Sequence, residues 1–414
     1  TGTEMAQLMV PSDVLEGASK EIWGQLIQEG FATAGNLVAF DTERWKDVAL
    51  EKVLASGAEV LFHAMVAAPV RDGDTIKGIV IESKSGRQAI LARTIVDCTG
   101  DADIAYQMGA PYQKGREADN KMRPITVLFR AGGFDFDKIT EFARQNPRNF
   151  SPDPNRTNLD PKKGSVRFEG FYKEIEEARK KGEVDENCYY LRIEGINLKR
   201  GIAYINSSRV YGVDGTNVFD LTRAEIAARR QNRLLEAFIR KYIPGGEDIF
   251  VLHSGTIGVR ETRRIRGTYV ANEDDWAAGK HFEDSIVQLR KRRIPGVPIH
   301  SPDGGEGAPW DTWSRERVAP LYDFEIPYRT VVPLKVENLL VAGRSISGTQ
   351  EADSWFRDQH CVMTIGQGAG VAAALASKHG VTPRQVNVAE LRAGIAAQGS
   401  TTGGIEAAPT PPAG

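Results

Sequence analysis

Apolar positions along the first quarter of the chain recur at helical spacing and then at alternating spacing. Ile22, Trp23, Leu26 and Ile27 share one stripe, which predicts a helix over about 16–29. Asp41 or Thr42 caps a second helix with acids in its first turn; it runs to Ala55 and is stopped by Gly57. Glu59–His63 reads as a short strand. A meander of Met65–Arg71, Thr75–Ser83 and Gln88–Asp97 follows, with turns at Asp72-Gly73 and Ser85-Gly86. In the middle of the chain the pattern predicts a strand over Met122–Ala131, a helix over Asp137–Gln145 and a strand over Gly201–Ser207. The Pro-, Asn- and Asp-rich stretch 146–163 is a lid candidate. A long helix over about 222–242 carries Ile226, Leu234, Leu235, Phe238 and Ile239 on one stripe and ends before Pro244-Gly245-Gly246. Near the C-terminus an apolar run closes on Gly343-Arg344, and Gly366-Gln367-Gly368-Ala369-Gly370 opens an Ala-rich helix.

Composition narrows the class. A length of 414 residues suggests two closely packed domains, and 41% hydrophobic with 26% charged residues describes an ordinary globular chain. A net charge of −2 supplies no field for nucleic acid or an anionic membrane. No apolar run approaches the roughly 20 residues of a membrane span. Cys98, Cys188 and Cys361 are unclustered, so neither a disulfide framework nor a metal site is expected. No signal peptide is visible, and a cytoplasmic location is the expectation.

Several segments carry candidate chemistry, each with a plainer alternative. Glycines at a helix start expose backbone N–H groups and the positive dipole end to a ligand's oxygens, although Gly366–Gly370 could equally serve close helix packing. Thr99-Gly100-Asp101 closes a strand; it is either a ligand-facing turn or a turn in which Asp101 caps the next helix. Arg260 follows Gly258-Val259 at a strand end, where its guanidinium could grip a carboxylate with Glu261 orienting it. Arg263 and Arg264 in the same run could be a solvated face. Arg329, after Ile326-Pro327-Tyr328, is a second anion-clamp candidate, with Tyr328 adding a hydrogen bond. His300 and His360 are the candidate proton acceptors, set against the common case of a packed histidine. Cys361 reads as a buried structural thiol.

Four segments carry a family likeness: Asp97-Cys98-Thr99-Gly100-Asp101-Ala102-Asp103, Gly258-Val259-Arg260-Glu261-Thr262-Arg263-Arg264-Ile265, Ile326-Pro327-Tyr328-Arg329, and the C-terminal signature. In that order the chain resembles a bacterial FAD-dependent oxidoreductase family with a glutathione-reductase-type domain, distantly akin to fumarate reductase flavoproteins. The resemblance implies an α/β fold: a Rossmann-like FAD-binding domain with an inserted α+β substrate domain. The expected division is 1–111 and 331–395 for FAD, 112–330 for the substrate and 396–414 as a flexible tail. No Gly-x-Gly-x-x-Gly follows a hydrophobic strand, so the family's N-terminal βαβ unit has no counterpart and the chain reads as a fragment whose parent binds FAD. The likeness assigns Thr99, Gly100, Asp101, Gly343, Arg344, Gln367, Gly368, Ala369 and Gly370 to FAD. It places the flavin O2 edge at the start of the helix following Gln367.

The function implied is hydride transfer between a small polar organic substrate, a carboxylate or a sugar-like alcohol, and flavin N5. The electron acceptor and any association of identical chains stay open. Two rivals are an NAD-dependent dehydrogenase, which lacks its glycine fingerprint here, and a non-catalytic scaffold on a degenerate flavoprotein fold.

Overall fold

The computed structural model describes residues 7–8, 14–34, 38–152, 157–160, 165–293, 302–303 and 321–403. Helices and sheets are mixed along the chain, as the patterning predicts. A two-residue antiparallel ladder joins β1 (Gln7–Leu8) to β2 (Val38–Ala39). Between and after them, α1 (Gly17–Gln28) and α2 (Thr42–Ala55) bury Trp23, Leu26 and Val48 in a shared cluster. Asp41 caps α2 by accepting the Glu43 and Arg44 amides, both at 2.9 Å.

β3 (Met65–Asp72), β4 (Thr75–Ser83) and β5 (Gly86–Leu91) form the antiparallel meander. Two expectations fail here. Glu59–His63 is irregular rather than a strand: Leu61 and Phe62 are 61% and 64% exposed, and a strand with neither a ladder nor a face to bury gains nothing from being extended. The strand predicted over Gln88–Asp97 divides in two. β5 stays in the meander, whereas β6 (Ile95–Asp97) pairs in parallel with a strand more than 240 residues later.

After α3 (Asp103–Gln107) and β7 (Tyr112–Lys114) comes the central unit: β8 (Thr126–Gly132), α4 (Phe136–Gln145), β9 (Val166–Gly170), α5 (Tyr172–Lys180), β10 (Leu191–Asn197), β11 (Ile202–Ile205), α6 (Val218–Tyr242) and β12 (Phe250–Gly258). Its five strands run antiparallel in the order β12-β8-β11-β10-β9. One face, with Phe129, Phe168, Ile193 and Ile205, packs against Leu235, Phe238 and Ile239 of α6. Ile226 departs from the expected stripe and is 66% exposed. It lies on the solvent face of α6: Ala224 and Ala228, on either side of it, are wholly buried, so the buried stripe runs through them and not through Ile226. Of the lid candidate, the described residues lie against β9: Ser151 donates to the Glu169 carbonyl, and Asn158 exchanges backbone bonds with Arg167, all at 2.8 Å.

The last third contains β13 (Arg263–Ile265), α7 (Glu273–Ala277), the antiparallel pair β14 (Ser285–Arg293) and β15 (Leu321–Pro327), β16 (Leu339–Val341), α8 (Gln350–Phe356), α9 (Gln359–His379) and α10 (Val388–Ala397). Ile286, Ile326, Leu340, Ile365, Ala369 and Ala372 share the largest core around α9. Where a flexible tail is expected, the Gly399 carbonyl accepts from Gly17 at 3.1 Å and the Thr401 amide donates to Glu16 at 2.7 Å. Residues 404–414 lie outside the described residues. No described helix is long and apolar enough to cross a membrane.

Candidate active site

β6 and β16 lie side by side in parallel, so the turns leaving their C-terminal ends are brought together. At the end of β6 the buried Asp97 holds its turn by four bonds. One carboxylate oxygen accepts the Thr99 amide at 3.0 Å and the Thr99 hydroxyl at 2.7 Å; the other accepts the Ile104 and Ala105 amides at 3.0 Å. Asp97, not Asp101, therefore satisfies the start of α3, whose N-cap is Ala102 in the left-handed region. Asp101 is left to face the other turn. Its Oδ1 accepts from Arg344 Nη2 at 2.6 Å and from Thr262 Oγ1 at 2.7 Å, and its carbonyl accepts from Arg263 Nη1 at 3.0 Å. Gly100 has φ of +81°, so its backbone favours glycine, and a Cβ there would lie 2.9 Å from Arg344 Nη1 and displace that guanidinium. Gly343, φ +95°, opens onto empty space. Thr99, Gly100, Asp101, Gly343 and Arg344 are thus one constellation.

The expected glycine-rich helix start is not a start. α9 begins at Gln359, and Gly366 to Gly370 lie in its third and fourth turns, where the helix ladder takes their backbone groups. Tertiary packing explains one of the glycines there. A Cβ on Gly368 would sit 3.1 Å from Ile286 and Ala369 is wholly buried, whereas Gly366 and Gly370 both open onto space. Gln367 turns its side chain to α1, with Oε1 accepting the Ala18 amide and the Ser400 hydroxyl, each at 3.1 Å. The helix N-terminus that could favour a negative charge is at Gln359, where the Asp358 side chain makes no capping bond. Arg344 Nε, Ser345 Oγ and Arg357 Nε are buried with no hydrogen-bond partner among the described residues. Buried donors without acceptors are costly. Arg344 Nε, beside the open Gly343, suits an oxygen-rich ligand.

A charged layer joins this region to the central sheet. Fully buried Arg123 donates to Asp353 at 3.0 Å and to the Gln350 carbonyl and Ser354 hydroxyl at 2.5 Å, and its amide bonds Glu261 at 2.6 Å. Glu261 also accepts from Arg264 at 3.0 Å and Gln350 at 2.5 Å. Its carboxylate therefore braces this layer rather than orienting Arg260, whose Nη1 donates to the Pro124 carbonyl. Arg263 and Arg264 are buried and ion-paired, to Asp103 and to Glu117 and Glu261, not solvated. Burial pushes the Glu351 carboxyl up to about 7, with Arg123 opposing and Glu273 adding to it. Burial likewise pushes Asp353 up to about 6 against the pull of Arg123 and Arg357. Oε1 of Glu351 and Oδ1 of Asp353 have no partner among the described residues.

Other candidates fall elsewhere. Arg329 stacks over Tyr269 and Phe282 at 5.2 and 5.6 Å from the ring centres and lies 3.5 Å from Asp284. Tyr328 is buried and donates to the Pro383 carbonyl at 2.7 Å, so it is not paired with Arg329 on a ligand. His360, in the first turn of α9, is buried with Nε2 3.2 Å from Cys361 Sγ. With Glu16, Ser19, Gln288 and Thr364 it lines a cavity of about 10 Å³, room for one water. His300 lies outside the described residues. Sequence reasoning passed over Arg123, Glu351, Asp353 and Arg357; the acids Glu351 and Asp353, directly after the strand and turn of the C-terminal signature, were the available signal.

A sequence profile described as FAD dependent oxidoreductase matches residues 2–395. No curated protein matches. Among solved structures, a geranylgeranyl bacteriochlorophyll reductase-like protein from Thermoplasma acidophilum is 10% identical with a TM-score of 0.39, over 87% of this chain and 59% of that one. A triple mutant of a flavin-dependent brominase is 10% identical with a TM-score of 0.42, over 96% and 74%. A glycerol-3-phosphate dehydrogenase from Bacillus halodurans complexed with FAD is 13% identical with a TM-score of 0.27, over 65% and 45%. The matched region thus spans 59% of the first of these structures.

Proposed function

The chain belongs to the FAD-dependent oxidoreductase family, and from that premise we propose that it is a dehydrogenase moving a hydride between a small polar organic substrate and its cofactor, FAD. The observation that carries this reading is the meeting of Thr99-Gly100-Asp101 with Gly343-Arg344 at the ends of two parallel strands, with Arg344 Nε buried and unpartnered. FAD supplies the two-electron chemistry at N5. The chain's residues do the rest. Gly343 lets a ligand approach bare backbone, and Asp101 orients the Arg344 fork toward it. Arg357 and the first-turn amides of α9 would supply positive potential for the charge of the reduced cofactor. Glu351, with a carboxyl near neutrality, is suited to hold or release a proton at its unpartnered Oε1. Arg260, braced on the Pro124 carbonyl, grips the substrate from the sheet side.

The test is anaerobic. The purified holoprotein is mixed with a panel of hydroxylated substrates while the oxidised-flavin band is followed. Bleaching without oxygen, with a ketone or aldehyde product, is expected. Reduction by a nicotinamide alone, with product oxygen drawn from dioxygen, would make the protein a monooxygenase and refute the dehydrogenase reading. The Arg344→Met variant is expected to lose bound flavin while keeping its fold.

A further inference from the structure

A positive charge is left over where α8 passes into α9. Within the charged layer the other arginines are matched: Arg123 holds Asp353 at 3.0 Å, and Arg264 holds Glu261 and Glu117, each at 3.0 Å. Arg357, at the junction itself, makes no ion pair and no side-chain hydrogen bond among the described residues; Asp353, Asp358 and Glu261 act on it only through space. Burial lowers its pKa from the usual arginine value, Asp353 opposes, and Arg123 adds to the lowering. The place is not sealed. Arg357, Asp358 and Gln359 are half-buried between the buried runs 352–356 and 360–361, so the junction reaches solvent while Arg357 Nε lies beneath its surface.

Stability does not account for such a group. A cation drawn out of water costs the fold free energy unless an anion and hydrogen-bond acceptors replace the water it lost, and here the protein supplies neither. A guanidinium presents its donors as a planar fork, which the two oxygens of a carboxylate match. The first-turn amides of α9 start two residues further on, have no acceptor within the helix, and add positive potential at the same junction. We propose that Arg357 is the substrate-binding cation of the active site and that it takes the carboxylate of a small monocarboxylate.

The charges around the guanidinium select that class. One surplus cation answers one carboxylate. A second carboxylate on the ligand would meet the field of Asp353, Asp358 and Glu261, all of which reach Arg357. A neutral alcohol would leave the cation unanswered. Hydroxy acids are the monocarboxylates that also carry a group for the flavin to oxidise. The hydroxyl rests on the oxidoreductase reading; the carboxylate does not.

Titration calorimetry on the oxidised holoprotein tests the assignment. Propionate, isobutyrate and phenylacetate serve as probes with no hydroxyl to oxidise, and ethylene glycol, succinate and chloride as comparators. At least one probe is expected to bind at least about tenfold more tightly than every comparator, the step that one charge-assisted hydrogen bond supplies. Arg357→Met is expected to keep its flavin, melt at or above the parent's temperature and bind that probe at least about tenfold more weakly; Arg357→Lys, which keeps the charge and loses the fork, should fall between the two. A structural arginine would do the reverse, lowering the melting temperature on removal and leaving the affinity alone. The assignment is overturned if no probe outbinds the comparators, if Arg357→Met binds as the parent does, or if it loses its flavin, which would give the guanidinium to the cofactor. Should Arg357→Met unfold, Arg357→Lys decides, and binding as tight as the parent's overturns the assignment. Flavin bleached by neutral alcohols in a parent that binds no carboxylate overturns it too, and leaves the dehydrogenase reading standing. Carboxylate binding lost in Arg357→Met, with no hydroxy acid or other alcohol bleaching the flavin, upholds Arg357 and refutes the dehydrogenase reading.

Discussion

Replacing Glu351 with glutamine probes the buried acid beside the candidate site through the pH dependence of stability. Burial lifts its carboxyl from 4.5 to about 7, so between those values the folded protein holds a proton that the unfolded chain has released. Stability then falls as pH rises: the contribution is fully present below about 4.5 and lost as pH passes 7. A shift of about 2.5 units at 1.36 kcal/mol each sets a ceiling of about 3 kcal/mol. Glu351 is only partly enclosed, and solvent screening brings the expected figure to about 2 kcal/mol. Glutamine keeps the shape and cannot ionise. Glu351→Gln should therefore match the parent at pH 5 and exceed it by about 2 kcal/mol at pH 8. Urea unfolding at the two pH values measures both differences. An equal difference at pH 5 and pH 8 would refute the reasoning. The Asp353 carboxyl, raised in the same direction by burial, contributes to the parent and the variant alike and cancels from the comparison.

Gly100→Ala forces a side chain into the left-handed region against the Arg344 guanidinium and should cost about 1–3 kcal/mol in thermal unfolding, together with part of the bound flavin. Two of the three glycines of α9 should part company: Gly368→Val crowds Ile286 and is expected to lose about 1–3 kcal/mol, whereas Gly370→Ala meets open space and should gain up to about 1 kcal/mol from helix propensity, both read by denaturant midpoints. Arg123→Met removes the cation bonded to the buried Asp353 and leaves Glu261 with Arg264 alone, and should destabilise by about 3–5 kcal/mol; a loss below 1 kcal/mol would show that the charged layer does not bind the sheet to α8.

What the sequence determined by itself is local or motif-borne. The stripe of α1, the Asp41 cap of α2 and the turns of the meander follow from residues within a few positions of one another, so their geometry is written in adjacent chemistry. The Gly343-Arg344 and Thr99-Gly100-Asp101 turns were legible because glycine and short polar residues at strand ends serve few other purposes. Only the tertiary structure decided the partner-dependent parts. β6 left the meander because its parallel neighbour lies far along the chain, and local alternation cannot show which edge a strand will join. The start of α9 at Gln359 was hidden because glycine's low propensity argued for a boundary at Gly366, and close packing on Ile286 overrode it. Asp101 and Arg344, 243 positions apart, became partners, and Glu261 became a buried brace for Arg123 and Arg264. The surplus charge of Arg357 needed Asp353 and Glu261 to be taken by Arg123 and Arg264 before it existed at all. A charge is read from one letter; its burial and its partner are properties of the folded whole.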